Sequence, residues 1–149
     1  MGESEFLTGL KHLSLGYNTI GDEGVEELTK SSNFTKLTHL HLPGNSLTSQ
    51  SCFSLAVCGK FQALTYLDIK LNSVGSKGIE MLVVGCLQKL TFLDLNHSEV
   101  DDMGFKYLAE CETLPQLHEL KIFEGNPAST ESKNLLRRSK KLASLRYIN

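Results

Sequence analysis

The chain has 149 residues, 40% of them apolar and 21% charged, with a net charge of -2 and a pI near 6.2. That is the composition of one globular domain, and the near balance of charge supplies no basic stripe for a nucleic-acid backbone. No window approaches the ~18 consecutive apolar residues of a membrane span, and the start Met1-Gly2-Glu3-Ser4-Glu5-Phe6 has neither a signal-peptide pattern nor the Ser or Thr that N-myristoylation wants where Phe6 stands. A cytoplasmic protein without membrane contact is expected.

In chain order, one apolar step, L-x-x-L-x-[LI], recurs. The copies are Leu10-Leu13-Leu15-Asn18-Ile20, Leu37-Leu40-Leu42-Asn45-Leu47 and Leu64-Leu67-Ile69-Asn72-Val74, then Leu90-Leu93-Leu95-Ser98-Val100 and Leu117-Leu120-Ile122, with a terminal half-copy Leu142-Leu145. First leucines at 10, 37, 64, 90, 117 and 142 give intervals of 27, 27, 26, 27 and 25, inside the range of roughly 20 to 29 that marks leucine-rich repeats. Residues 1–149 therefore read as a single domain of about five repeats plus a terminal strand.

Within each copy the apolar period changes. The L-x-L stretch alternates with period two and predicts a short strand with one face buried; the next dozen or so residues predict a turn and a helix. Helix starts are expected at Asp22, Ser49, Ser76, Asp101 and Thr130, residue types that cap orphan backbone N–H groups. The helices should bury Val25 and Leu28, Phe53 and Leu55, Ile79 and Leu82, Phe105 and Leu108, and Leu135 with Leu136. An apolar residue three before each strand, Leu7, Phe34, Phe61, Leu87 and Leu114, closes the return path. The expected fold is an α/β leucine-rich-repeat solenoid: a right-handed βα superhelix with a short parallel sheet on the concave side and helices on the convex side. Cys58 and Cys111 fall at position 22 of their copies and Cys86 at position 23. They recur with the helix and lack C-x-x-C spacing, so the cysteines read as reduced packing residues.

The layout resembles the ribonuclease-inhibitor-like subclass of leucine-rich repeats, which includes the Ran GTPase-activating proteins and the repeat domains of intracellular immune receptors. The likeness covers Leu7 to Ile148, and its most specific residues are Asn18-Ile20-Gly24 and Asn72-Val74-Gly78, with Val100-Gly104 keeping the second half. It implies that Asn18, Asn45 and Asn72 form a ladder satisfying backbone groups at the turn from strand to helix, where each unpaired buried group costs about 1–3 kcal/mol. Ser98 and Gly125 stand where the fourth and fifth rungs belong. Asn126 is displaced by one and precedes Pro127, so the fifth loop is expected to turn differently.

Neither end reads as a dedicated cap. Glu3 and Glu5 are the polar cover before Leu10, and the last strand carries Tyr147 and Ile148. The basic cluster Arg137, Arg138, Lys140 and Lys141 complements the dipole of a helix end, and edge-strand pairing is open at the C-terminal side.

Positions three, five, seven and eight of each copy point away from the core leucines. Row three reads His12, His39, Tyr66, Phe92, Glu119 and Ser144; row five reads Ser14, His41, Asp68, Asp94, Lys121 and Arg146. Row seven reads Gly16, Pro43, Lys70, Asn96, Phe123 and Ile148, and row eight adds Tyr17, Gly44, Leu71, His97 and Glu124. Exposed strand positions have no packing need for aromatic rings, and such rings anchor binding patches. The expected contact surface is His12, His39, His41, Tyr66, Asp68, Phe92, Asp94 and Phe123.

Catalysis is not expected. A shallow strip does not exclude water, and no Ser or Cys nucleophile is spaced for a base; the His cluster beside Asp68 offers at most adventitious metal binding. No phosphate-binding glycine motif occurs, so no cofactor is expected. The reading is a non-catalytic module that binds a protein or peptide through its concave face. Alternatives are a GTPase-activator-like repeat domain, onto which no activating residue maps, and a substrate-recognition piece of a ubiquitin ligase.

Overall fold

The computed structural model describes residues 9–149. Six strands, β1 (His12–Ser14), β2 (His39–His41), β3 (Tyr66–Asp68), β4 (Phe92–Asp94), β5 (Glu119–Lys121) and β6 (Tyr147–Ile148), form one parallel sheet in sequential order. Parallel neighbours need a crossover, supplied by α1 (Gly21–Lys30), α2 (Ser49–Val57), α3 (Gly75–Val83), α4 (Asp102–Ala109) and α5 (Thr130–Arg137). The α/β leucine-rich-repeat solenoid expected from the spacing is what the chain forms. Its core is the layer between sheet and helices, filled by the central strand leucines Leu40, Leu67, Leu93 and Leu120, by Leu37, Leu64, Leu90 and Leu117, and by the inner helix residues Val25, Leu28, Leu55, Ile79, Leu82, Phe105 and Leu108. Each such side chain contributes about 1.5–3 kcal/mol on burial. Phe34, Phe61, Leu87 and Leu114 close the return path as expected; Leu7 lies outside the described residues.

Two expected core residues are corrected. Phe53 and Leu135 are 45% and 48% exposed; α2 buries Cys52 with Leu55, and α5 buries Leu136 alone. The helix starts also shift. Asp101 caps α4 by accepting from Met103 N, but the caps of α2 and α5 are Thr48 and Ser129, one residue earlier than Ser49 and Thr130. α1 and α3 begin after Ile20 and Val74, which make no side-chain cap. Asp22 and Ser76 act across the repeat boundary instead. The Asp22 carboxylate accepts from Thr48 N at 2.9 Å and Ser51 N at 3.1 Å, and the Ser76 hydroxyl accepts from Asp101 N at 3.1 Å and Gly104 N at 2.8 Å. They cap the next helix, a role that spacing within one repeat does not reveal.

The asparagine ladder is present and longer than expected. Asn45 Oδ1 accepts from Asn18 N and Ile20 N, while its Nδ2 donates to Leu15 O and Pro43 O. Asn72 repeats the pattern toward Asn45 N and Leu47 N. Asn126 does the same for Ser98 N and Val100 N, at 3.0 and 2.9 Å, and donates to Leu95 O and Ile122 O. The fifth loop thus keeps its rung by taking in one extra residue, and Gly125 moves into the left-handed place (φ 66°) that Tyr17, Gly44, Leu71 and His97 hold in earlier repeats. Non-glycine residues tolerate that φ in three of the earlier repeats, so what calls for glycine at 125 is the His97 ring lying on it, which a Cβ would overlap. Ser98 occupies the fourth rung with two longer contacts, to Ile69 O at 3.5 Å and Asn96 O at 3.3 Å.

The last strand is also corrected. β6 pairs Tyr147 with Glu119 and Leu120 with Ile148, so the terminal step counts from Leu145, not Leu142. Leu142 is the buried return-path residue equivalent to Leu114, and Leu145 N donates to its carbonyl as Leu117 N does to that of Leu114. The four cysteines are free thiols. Burial, with a smaller contribution from Asp22, pushes the Cys52 thiol up to about 12, as befits a packing residue.

Candidate binding surface

In-register pairing sets His12 beside His39, His39 beside Tyr66 and Tyr66 beside Phe92. Strands ~4.8 Å apart carry their side chains at the spacing of stacked rings. The rings form a continuous row: His12–His39 centroids lie 4.3 Å apart and tilted, His39–Tyr66 5.4 Å and stacked, Tyr66–Phe92 4.2 Å with planes within 3°. Lys121 Nζ closes the row 5.4 Å from the Phe92 centroid and 3.7 Å from Glu119. By register the next member of row three is Tyr147, 69% exposed, and not Ser144.

The histidine tautomers follow from their neighbours. Thr38 Oγ1 donates its one proton to Lys11 O at 3.0 Å, so His39 Nδ1, 3.0 Å from the same oxygen, is the donor of that pair. His41 Nδ1 lies 3.0 Å from Asp68 Oδ2 and donates to it. Burial first, and the adjacent His12 second, hold His39 below the usual histidine range. Its neutral form is therefore favoured in the folded chain, and the associated stability is present above pH ~6.5 and falls as pH drops through that value toward the lower folded midpoint. A proton-NMR titration should find His39 below its unfolded midpoint. In His12→Ala the midpoint should rise only part of the way back, because burial is the larger cause; full recovery would show that His12 dominates.

Row five differs from the expectation that its carboxylates face a partner. Asp68 and Asp94 are 1% and 3% exposed. Each turns back to its own backbone, Asp68 accepting from Lys70 N and Asp94 from Asn96 N, both at 3.1 Å. Lys70 Nζ spans them at 3.8 and 3.9 Å. Burial is the main cause that raises the Asp94 pKa, outweighing its hydrogen bond from Asn96. These groups orient His41 and Lys70 more than they offer charge. Phe123 is likewise corrected. Its ring stacks on Phe105 of α4 at 6.0 Å and lies under the Arg137 guanidinium at 4.3 Å, so it faces the helices. The extra residue in the fifth loop rotates it off the strip.

Two residues beyond the expected contact set stand on the same surface. Tyr17 and Leu71 are 68% and 43% exposed in left-handed backbone (φ 59° and 56°) that side chains seldom adopt. The Tyr17 ring lies across Gly44, as His97 lies across Gly125. Their recurrence at position eight was the signal available in the sequence. Lys70, Leu71, Asp94, His97, Lys121 and Glu124 line an open depression of about 390 Å³ at this end of the strands. Among the described residues no set of three or more His, Cys, Asp or Glu side chains is arranged to hold a metal ion.

The Leucine Rich repeat family matches residues 7–28, 62–83 and 86–109 of the chain. A comparison with curated proteins gives no match. Repeats of this family are generally non-catalytic and mediate protein–protein interaction. No helix among the described residues is long and apolar enough to cross a membrane.

Proposed function

We propose, from the premise that the chain is a leucine-rich-repeat solenoid, that it binds a protein or peptide through the open face of its sheet. The observation that carries this reading is the ring row His12–His39–Tyr66–Phe92, whose edges line the exposed side of the strands. His41 belongs to the same contact surface. Asp68 and Asp94 support it from beneath, and Tyr17, Leu71 and His97 extend it toward the ends of the strands. Six strands at ~4.8 Å and a useful length near 17 Å give about 400 Å², and about twice that with rims, against about 800 Å² per partner for a standard interface. A peptide, a loop or a small domain suits that area.

A second reading draws on the same stacking: the rings chiefly hold adjacent strands together, at about 0.2–1 kcal/mol per pair. Capture from lysate with the native chain and with a ring-deleted variant separates the two. The ribonuclease-inhibitor-like subclass and a cytoplasmic location belong to the proposal; four free thiols suit a reducing compartment. A GTPase-activator role has no residue to support it. Addition of the chain to Ran-like or other small GTPases should leave single-turnover hydrolysis at its intrinsic rate. A rise approaching the ~10³–10⁵-fold of true activators would displace the binding-module reading.

A further inference from the structure

We infer, resting on the proposed use of the sheet face, that the partner segment seated there is acidic: an aspartate or glutamate carboxylate lies between Lys70 and Lys121, and an apolar neighbour packs on Tyr17 and Leu71. The site stands on β3, β4 and β5 and the turns that follow them. Each of these strands has a neighbour on both sides, so no open edge of the sheet is involved.

Asp68, Asp94 and Lys121 are consecutive members of row five on in-register strands, and Lys70 follows two residues after Asp68. The carboxylates lie beneath and the ammoniums above. Asp68 and Asp94 are almost wholly covered and accept from the N–H groups of Lys70 and Asn96, whereas the Lys70 and Lys121 side chains are 35% and 34% exposed. Lys70 Nζ stands 3.8 Å from Asp68 and 3.9 Å from Asp94, and Lys121 Nζ stands 3.7 Å from Glu119. Those are ion-pair distances, longer than the ~2.7–3.2 Å of an N–H···O hydrogen bond. By contrast, Lys30 and Lys77 close on exposed carboxylates at 2.9 and 2.7 Å. An ammonium has three donors, and among the described residues neither Lys70 Nζ nor Lys121 Nζ spends one on a hydrogen bond. Attraction from below fixes where the cations stand, and their donors remain for a ligand. A group placed in advance costs less to order on binding. The two cations also share one neighbourhood, since the fields of both act on Asp94 against the larger effect of its burial. Lys121 reaches the Phe92 ring as well, so the site adjoins the ring row.

Row eight supplies an apolar wall. The Tyr17 ring lies across Gly44 and the His97 ring across Gly125, with Leu71 on the repeat between. This wall and the two lysines line the open depression of about 390 Å³, which takes a side chain or two and no folded domain. One side is cationic and the other apolar, so the complement is a carboxylate beside an apolar side chain. Glu119 and Glu124 stand at the margins and keep the positive potential local. In a chain of net charge -2, they repel a polyanion and leave room for a single carboxylate.

Titration of the isotope-labelled 149-residue chain with acetyl-Leu-Glu-Leu-amide should move the amide resonances of Lys70, Leu71, His97 and Lys121. The same peptide with Gln in place of Glu should bind about fivefold more weakly, the step expected for one partly exposed charge pair. With Lys in that place it should bind more weakly still, and about 500 mM salt should erase the preference. Lys121→Gln should lower the Glu peptide to the affinity of the Gln peptide, and Lys121→Glu should favour the Lys peptide; both leave Lys70 on its two carboxylates, and circular dichroism checks the fold. Lys106→Gln on the outer helical surface should leave the order unchanged. Equal affinity for the Glu and Gln peptides overturns the inference. So does the absence of shifts with every peptide, or inorganic phosphate that displaces the Glu peptide at equal concentration. Capture by the Tyr66→Ala, Phe92→Ala variant decides the reading beneath: if that pair loses capture while the Glu and Gln peptides bind alike, the sheet face stands as the contact surface and only the carboxylate site falls.

Discussion

Alanine in place of both Tyr66 and Phe92 is expected to abolish partner capture while the helical signal survives. The two rings are the closest and most nearly parallel pair of the row, 4.2 Å apart. Anchors of this type commonly carry 2 kcal/mol or more each, so losing both should weaken binding by roughly a thousandfold. The cost to the fold is smaller. Tyr66 gives up its stacks on His39 and Phe92, each worth about 0.5–1.5 kcal/mol, but the core leucines beneath remain in place. The measurement is capture from lysate beside a urea midpoint, with Glu26→Lys plus Lys106→Glu on the exposed helical surface as control. If the control pair abolishes capture and the ring pair leaves it intact, the sheet face is not the contact surface. A large midpoint shift with capture unchanged would favour rings that only bind strands together. His39 adds a milder expectation on the same assay: burial keeps its imidazole neutral into mildly acidic solution, so affinity should change only as the pH falls below the usual histidine range.

The second large effect is on stability. Asn45→Ala removes the acceptor of Asn18 N and Ile20 N and the donor to Leu15 O and Pro43 O, and should cost about 1–3 kcal/mol. Asn126→Ala should cost as much, because its four bonds serve Ser98, Val100, Leu95 and Ile122 in the same way. Ser98→Ala should cost less, since its contacts are long. Urea midpoints rank the three. Equal midpoints for Asn45→Ala and Ser98→Ala would contradict the ladder, and a neutral Asn126→Ala would show that the displaced asparagine is not a rung.

What was legible in the sequence is what repeats. The L-x-x-L-x-[LI] step returns every 26 or 27 residues in its five copies, and period two followed by a helical period admits few folds, so strands, helices and core leucines could be read directly, while the rungs Asn18, Asn45 and Asn72 followed from the family resemblance. Row three was legible for the same reason: residues at equal positions in parallel, in-register strands become neighbours, as His12, His39, Tyr66 and Phe92 do.

The tertiary structure decided whatever depends on a neighbouring repeat or a broken period. Asp22 and Ser76 cap the next helix rather than their own, because the nearest orphan N–H groups lie across the repeat boundary. Asp68 and Asp94 are covered, because backbone N–H groups two residues on and a lysine between them compete successfully with solvent. Phe123 leaves the strip and Leu145 replaces Leu142 as the start of the last step, because one extra residue and a longer return shift the count. Period names a position. Only packing decides which way an off-period side chain turns.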